Sequence, residues 1–271
     1  GEGRTHQNSP RGDAMTDMVR YEQAGGVATM TLARPPANAL GELVIAGLAA
    51  AMDSAEADSV GVVVVRSEVP GFFAAGADLT LFDDLDVDGF LDYLDRLRAV
   101  IERLADGPWV SIAAIDGHAL GGGLELAMAC TMRVAATTAR LGVPEVKLGL
   151  LPGAAGTQRL PLLVGRGPAI DLLLTGRSAD GVEAHRLGLV DRIAEAGEVD
   201  QVASGLAEVL ARGPRRAHAA ILRCVDAADR LGLDEGMHVE RAEVAGLFET
   251  PDGREGVAAF LEKRRAEFGR G

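Results

Sequence analysis

Two glutamates stand where their side chains could do acid–base chemistry. Glu125 follows the glycine run 121–123 at the start of a segment of good helix formers, so it falls in a first helical turn. Glu145 comes 20 residues later, directly after Pro144, which disfavours helix before it and predicts a turn of fixed geometry. Such a pair can divide the roles of acid and base, because burial can raise the pKa of one carboxyl while the other stays ionised. Each glutamate taken singly is more often a solvated or helix-capping side chain.

Two glycine-rich tracts, residues 71–79 and 116–125, each follow a run that is typical of a buried strand. Open α/β folds place ligands at the carboxyl ends of such strands. Three consecutive glycines weaken a helix by about 1 kcal/mol each, which favours a backbone that approaches a ligand. The spacing fits neither a dinucleotide fingerprint nor a phosphate loop. Two N–H groups aimed at one oxygen would instead form an oxyanion hole, although a compact Gly/Ala turn remains the alternative for residues 71–79.

Alternating strand and helix patterns position these tracts. Residues 19–32 predict a hairpin around Gly25-Gly26. Beyond it, helical stripes and buried-strand runs follow one another: a helix from Leu40, a strand at 60–65, a helix at 90–101, and strands at 109–115 and 132–136. This alternation predicts parallel strands joined by crossover helices.

The chain after about residue 195 shows a helical pattern without convincing strands. Three helical stretches are predicted there, with breaks at Gly213-Pro214, Gly232 and Thr250-Pro251. Thr250 is expected to cap the last helix, with Pro251 in its first position. The apolar residues of this region could fold against the chain's own body or against another subunit, and the pattern does not choose between them.

Composition and charge exclude several classes of protein. The 271 residues are 48% hydrophobic and 25% charged, which predicts a globular chain and not a disordered one. A net charge of −13 argues against nucleic-acid binding. Two cysteines suggest a reducing compartment, so we expect a cytoplasmic protein, and no apolar run is long enough for a membrane span. The histidines lack metal-ligand spacing, so no metal is expected. Residues 1–17 are expected to form a polar extension without a secretory signal.

Four tracts in order resemble the enoyl-CoA hydratase/isomerase, or crotonase, family. They are Phe73-Ala74-Ala75-Gly76-Ala77-Asp78-Leu79, the stretch DGHALGGGLELA at 116–127, Pro144-Glu145, and LLPGAAGTQRL at 150–160. The resemblance covers roughly residues 19–268 and includes the ending EGVAAFLEKR at 255–264.

The resemblance implies a fold and a reaction. The fold is an α/β spiral of repeated ββα units over residues 18–197, followed by a helical region, 198–271, that builds homotrimers or hexamers. The thioester carbonyl of an acyl-CoA would lie between the N–H groups of Ala77 and Gly122. Glu125 matches the position associated with water activation, and Glu145 the position that protonates the α-carbon. The implied activity is hydration of a 2-enoyl-CoA, with no metal or cofactor beyond the substrate's own coenzyme A.

Further residues match substrate-contacting positions of the family. These are Arg34, Ala75, Gly76, Asp78, Leu79, Gly121, Gly153, Phe260 and Lys263. Thr80 and Gly107-Pro108-Trp109 depart from the family's usual residues near the nucleotide part of the pocket. The sequence therefore does not identify the cations that would hold the CoA phosphates. A Δ3-Δ2-enoyl-CoA isomerase, another acyl-CoA lyase of the family, and a non-catalytic acyl-CoA-binding protein are the alternatives.

Overall fold

Strands and helices alternate along residues 18–269, the part of the chain that this computed structural model describes. The expected polar extension at residues 1–17 lies outside the described residues. The strands are β1 (Val19–Ala24), β2 (Val27–Leu32), β3 (Val62–Ser67), β4 (Gly71–Ala74), β5 (Val110–Ile115), β6 (Gly117–Leu120), β7 (Met132–Ala136), β8 (Arg140–Gly142), β9 (Ser178–Asp180) and β10 (Arg192–Ala194). The α-helices are α1 (Glu42–Ala57), α2 (Val87–Asp106), α3 (Gly122–Ala129), α4 (Gly156–Val164), α5 (Arg166–Thr175), α6 (Gly181–Leu187), α7 (Val199–Ala211), α8 (Arg215–Leu231), α9 (Leu233–Phe248) and α10 (Pro251–Leu261). Two 3₁₀ helices span Leu79–Asp84 and Pro144–Leu148.

The main sheet has six strands in the order β1-β2-β3-β5-β7-β10. The predicted hairpin is confirmed, because β1 and β2 pair antiparallel with Ala24 opposite Val27, and both turn glycines have positive φ. All other neighbours in this sheet are parallel. Every residue of β5 is buried, as expected for a central parallel strand that is covered on both faces.

A second sheet has four strands in the order β4-β6-β8-β9. Its strands β4, β6 and β8 each come directly after a strand of the main sheet and are followed by a helix, so the chain repeats a ββα unit with one strand in each sheet. This arrangement confirms the predicted α/β fold. The sequence patterns did not predict β4 and β6, which lie inside the two glycine-rich tracts.

Four helices, not three, follow β10. The three predicted breaks are at the expected places. Each break lies between two helices, so three breaks separate four helices, of which α7 is the first. α7 packs against β3, β5 and β7, and α8 packs against α9. Thr250 caps α10 as predicted, since its hydroxyl accepts a hydrogen bond of 3.0 Å from the N–H of Gly253. Within residues 18–269, no helix is both long and apolar enough to cross a bilayer.

Candidate functional site

A cavity of about 120 Å³ brings together most of the predicted site residues. The predicted residues in its wall are Ala75, Gly76, Ala77, Leu79, Gly121, Gly122, Glu125, Glu145 and Gly153. The remaining wall is apolar and consists of Phe82, Phe90, Leu94, Leu97, Pro144, Leu148, Leu150 and Leu151. The cavity therefore combines two carboxyl groups and two glycine-rich backbone segments with an apolar surround.

The two glycine-rich tracts meet at one side of the cavity. Gly76 has a φ of +97°, and a Cβ atom there would lie 2.9 Å from the carbonyl oxygen of Leu120. Gly121 has a φ of +51°, and a Cβ atom there would lie 2.6 Å from Oε1 of Glu145. A side chain would be strained at both positions because of the positive φ; at Gly76 it would also meet backbone, and at Gly121 it would displace the Glu145 carboxyl. The glycines thus allow the close backbone approach that their clustering predicted.

The backbones of Ala77 and Gly122 approach each other where the tracts meet. A Cβ atom built on Gly122 would lie 3.6 Å from the nitrogen of Ala77. Gly122 is the first residue of α3, where a backbone N–H has no acceptor within its own helix. In the described part of the chain we find no hydrogen bond donated by either N–H. Both donors are therefore available to a ligand in the cavity.

The segment 37–40, which precedes α1, holds the backbone on the Ala77 side. The N–H of Ala75 donates to the carbonyl of Ala37 at 2.9 Å, and the N–H of Leu40 donates to the carbonyl of Gly76 at 2.7 Å. The buried side chain of Asn38 donates to the carbonyl of Phe73 at 3.0 Å. Asn38 has a positive φ, which asparagine tolerates better than most residues.

Glu125 lies in the first turn of α3, as predicted, and is 2% exposed. Its Oε1 accepts two backbone hydrogen bonds, from Ala154 at 2.8 Å and from Gly156 at 2.7 Å. Burial raises the pKa of the Glu125 carboxyl, and these two N–H groups oppose the rise. These two donors could not be predicted from the sequence patterns, because nothing local marks them as partners of a residue about 30 positions earlier.

Glu145 lies in the 3₁₀ helix Pro144–Leu148, directly after the proline that predicted a fixed turn there. Its Oε2 atom is buried and has no hydrogen-bond partner among the described residues. Burial, and next to it the charge of Glu125, raise the pKa of Glu145 to about 7. At neutral pH this carboxyl therefore exists in both protonation states in comparable amounts.

Four predicted contact residues lie outside the wall of this cavity. Asp78 is buried and caps the 3₁₀ helix Leu79–Asp84; hydrogen bonds from Thr80, and the Arg34 guanidinium, lower its pKa. Arg34 donates to this carboxylate and, at 2.6 Å, to the carbonyl of Ala39. Phe260, at the end of α10, is 83% exposed, and Lys263 follows that helix with a φ of +55°. The role of these four residues stays a prediction.

The described residues contain no group of three or more histidine, cysteine, aspartate or glutamate side chains arranged to hold a metal ion. His118 packs against the ring of Phe72, with ring centroids 5.1 Å apart, and does not line the cavity. Cys130 and Cys224 are both free thiols, and Cys130 is buried.

Comparisons with known proteins all point to one family. The sequence profile of the Enoyl-CoA hydratase/isomerase family matches residues 22–271. A protein named probable enoyl-CoA hydratase from Rhizobium meliloti is 43% identical, over 93% of this chain and 98% of its own. The human mitochondrial methylglutaconyl-CoA hydratase is 40% identical, over 84% of this chain and 68% of its own.

A solved structure agrees with the sequence relatives. The enoyl-CoA hydratase from Bacillus anthracis superimposes with a TM-score of 0.89 at 32% identity, over 93% of this chain and 98% of its own. This similarity confirms the predicted crotonase-like fold. The match to the family profile, the relatives and the shared fold together show that the chain belongs to the enoyl-CoA hydratase/isomerase family.

Proposed function

We propose that this protein is a 2-enoyl-CoA hydratase, a hydro-lyase that adds water across the 2,3 double bond of an enoyl thioester to give a 3-hydroxyacyl-CoA. The names of its relatives support hydratase activity. The observation that supports the proposal is the cavity itself, whose wall includes Glu125 and Glu145 together with Ala77 and Gly122, two residues whose N–H groups donate no hydrogen bond among the described residues.

The N–H groups of Ala77 and Gly122 would bind the thioester oxygen. Addition of water to C3 moves the electrons of the double bond towards the carbonyl, so negative charge builds on that oxygen in the transition state. Two fixed donors bind the developing charge more strongly than the neutral thioester, and each such donor is worth about 3 kcal/mol. The positive end of the α3 dipole, at Gly122, adds to this stabilisation.

The two carboxyl groups would divide the proton transfers. Glu125 takes a proton from the attacking water as the water oxygen bonds to C3. Glu145 gives a proton to C2, which completes the addition. A pKa of about 7 suits a proton donor at neutral pH, and the unpartnered Oε2 of Glu145 leaves an oxygen free to reach the substrate.

Hydration of crotonyl-CoA, followed by the loss of enoyl-thioester absorbance, tests this proposal. We expect Glu125→Gln and Glu145→Gln each to slow turnover by about a hundredfold or more, while binding of saturated butyryl-CoA is retained. Glu208→Gln is the matched control, because that glutamate is exposed on α7. Near-normal turnover in both site variants would exclude the mechanism.

The alternatives within the family differ in their products. A Δ3-Δ2 isomerase would move the double bond of a 3-enoyl-CoA without adding oxygen, and such a reaction needs only one acid–base group. Both carboxyl groups line this cavity, which favours hydration. Product analysis with 2-enoyl-, 3-enoyl- and 3-hydroxyacyl-CoA separates these reactions. Binding of every acyl-CoA without turnover would instead identify a non-catalytic binding protein.

We also propose that the helical region 198–271 assembles the protein into homotrimers or hexamers. Large apolar side chains of α9 and α10 are exposed, among them Phe248 at 74%, Phe260 at 83% and Leu261 at 73%. Exposed apolar surface on this scale marks interaction sites. Light scattering during size-exclusion chromatography measures the assembly directly.

The cytoplasmic location expected from the two cysteines stays a prediction, as does the absence of nucleic-acid binding.

A further inference from the structure

The carboxylate of Glu125 is held by one short turn. The turn 152–156 follows the 3₁₀ helix Pro144–Leu148 and ends on Gly156, the first residue of α4. The N–H groups of Ala154 and Gly156 both donate to Oε1 of Glu125. Oε2, the other oxygen of the same carboxylate, takes neither bond. The direction in which Glu125 points therefore depends on where the turn lies.

One face of α2 fixes the position of this turn. Leu94, Arg98 and Glu102 follow one another at intervals of four residues, which places them in a row along the helix. Leu94 packs on Gly153 so closely that a Cβ atom on that glycine would lie 2.9 Å from Leu94 Cδ2. Arg98 donates a hydrogen bond of 2.8 Å to the carbonyl of Gly153.

The third residue of the row reaches the helix that follows the turn. Glu102 forms a bidentate pair with Arg159 of α4, with both N···O distances at 3.0 Å. Such a pair fixes orientation as well as distance, because two parallel hydrogen bonds must align. The turn is thus attached to α2 on both sides, at Gly153 before the two donors and at Arg159 after them.

We infer that Arg98 and the Glu102–Arg159 pair are positioning residues for Glu125. They hold the turn 152–156 so that its two N–H groups fix one carboxylate oxygen and leave the other for the attacking water. This inference rests on the proposed function, in which Glu125 is the base that activates water.

The same two arginines also act on Glu125 through their charge. The positive charges of Arg98 and Arg159 lower the pKa of Glu125 and so oppose the effect of burial. The other titratable groups coupled to Glu125 are Glu145 and Tyr93, whose pKa values its negative charge raises. Because the positive charge of Arg98 lowers the pKa of Glu125, losing Arg98 raises that pKa. A base with a higher pKa stays protonated to higher pH, so the acid limb of the pH–rate profile moves to higher pH.

The test compares substitutions along this row with a control on the same helix. Arg98→Gln is expected to lower kcat between about tenfold and a hundredfold, because small misplacements of a reacting group have effects of that size. The dissociation constant of butyryl-CoA should stay within about twofold of the unsubstituted protein. Arg98→Lys, which keeps the charge and a donor, should recover much of the loss. Arg96→Gln is the control, since Arg96 pairs with Glu42 of α1 and not with the turn.

A charge exchange tests the pair independently. Glu102→Arg alone should lower kcat, and adding Arg159→Glu should restore part of it by re-forming the pair in reverse. The inference is overturned if Arg98→Gln and Glu102→Arg leave kcat and the acid limb unchanged, or if kcat falls only in proportion to lost binding. If Arg98→Gln does not fold, the Arg98→Lys variant and the charge exchange decide. Absence of hydration in the unsubstituted protein would instead refute the proposed function.

Discussion

Replacing Glu145 by glutamine is expected to stabilise the fold at alkaline pH while it removes activity. The Glu145 carboxyl is partly buried, its Oε2 has no partner among the described residues, and it faces the charge of Glu125. Its pKa is therefore raised from 4.5 to about 7. A raised carboxyl pKa means that the folded state binds the proton more tightly than the unfolded state. The stability from this proton is complete below about pH 4.5 and is lost as the pH rises through about 7.

The size of the effect follows from the pKa. At about 1.4 kcal/mol per pKa unit, a rise from 4.5 to about 7 corresponds to about 3–4 kcal/mol of unfavourable free energy for the ionised carboxylate. Solvent screens a partly buried group, so we expect glutamine to raise the free energy of unfolding by about 1–2 kcal/mol at high pH. For a chain of this length that is about 2–4 °C in melting temperature for each kcal/mol.

Urea unfolding at fixed protein concentration measures this difference. Glu145→Gln should gain about 1–2 kcal/mol over the unsubstituted protein at about pH 9 and much less at about pH 5. The exposed control Glu208→Gln should change the free energy of unfolding by less than about 0.5 kcal/mol at either pH. An equal gain in the free energy of unfolding at both pH values, or no gain at the higher one, would show that ionisation of Glu145 does not destabilise the fold.

Three further predictions concern the cavity wall, the substrate and the assembly. Gly121→Ala should lower hydratase activity by about a hundredfold, because its Cβ atom would displace Oε1 of Glu145. Gly167→Ala is the control and should leave activity unchanged, because no atom lies within 4 Å of a Cβ atom at that position. Equal activity in the two variants would refute the close approach of Gly121 to Glu145. An enoyl-CoA whose acyl chain carries its own carboxylate should show a lower kcat/KM than crotonyl-CoA. Two carboxyl groups and no lysine or arginine line the described cavity, so the cavity offers a second carboxylate repulsion and no cation to pair with. A preference for the acidic substrate would contradict this prediction. Phe248→Glu should shift the protein to smaller species in light scattering if α9 carries a subunit interface, and an unchanged mass would place the interface elsewhere.

Local sequence signals predicted the elements that local physics determines. The Gly25-Gly26 hairpin forms because glycine, which has no Cβ atom, adopts the positive φ angles of this turn at little steric cost. Pro144 fixes the turn at Glu145, and Thr250 caps its helix, because each acts on atoms within a few residues. The resemblance to a known family then supplied the pairing of the two glycine-rich tracts, which no local pattern contains.

Features that depend on distant partners were not predicted. The strand β4 is only four residues long, and its pairing with β6 joins segments more than 40 residues apart. The donors to Glu125 lie 29 and 31 residues after it in sequence. The apolar residue Leu43 of α1 is 48% exposed, because the buried face of that helix includes Val44 and Leu48. Each of these outcomes is decided by tertiary packing and not by the residue's own neighbours.

Isotope incorporation during turnover tests the proposed reaction most directly. Crotonyl-CoA incubated with the protein in D₂O enriched in ¹⁸O should give 3-hydroxybutanoyl-CoA that carries ¹⁸O at C3 and deuterium at C2, as mass spectrometry and NMR of the product would show. A product with deuterium but no added oxygen, or no product at all while crotonyl-CoA binds, would contradict hydration by this cavity.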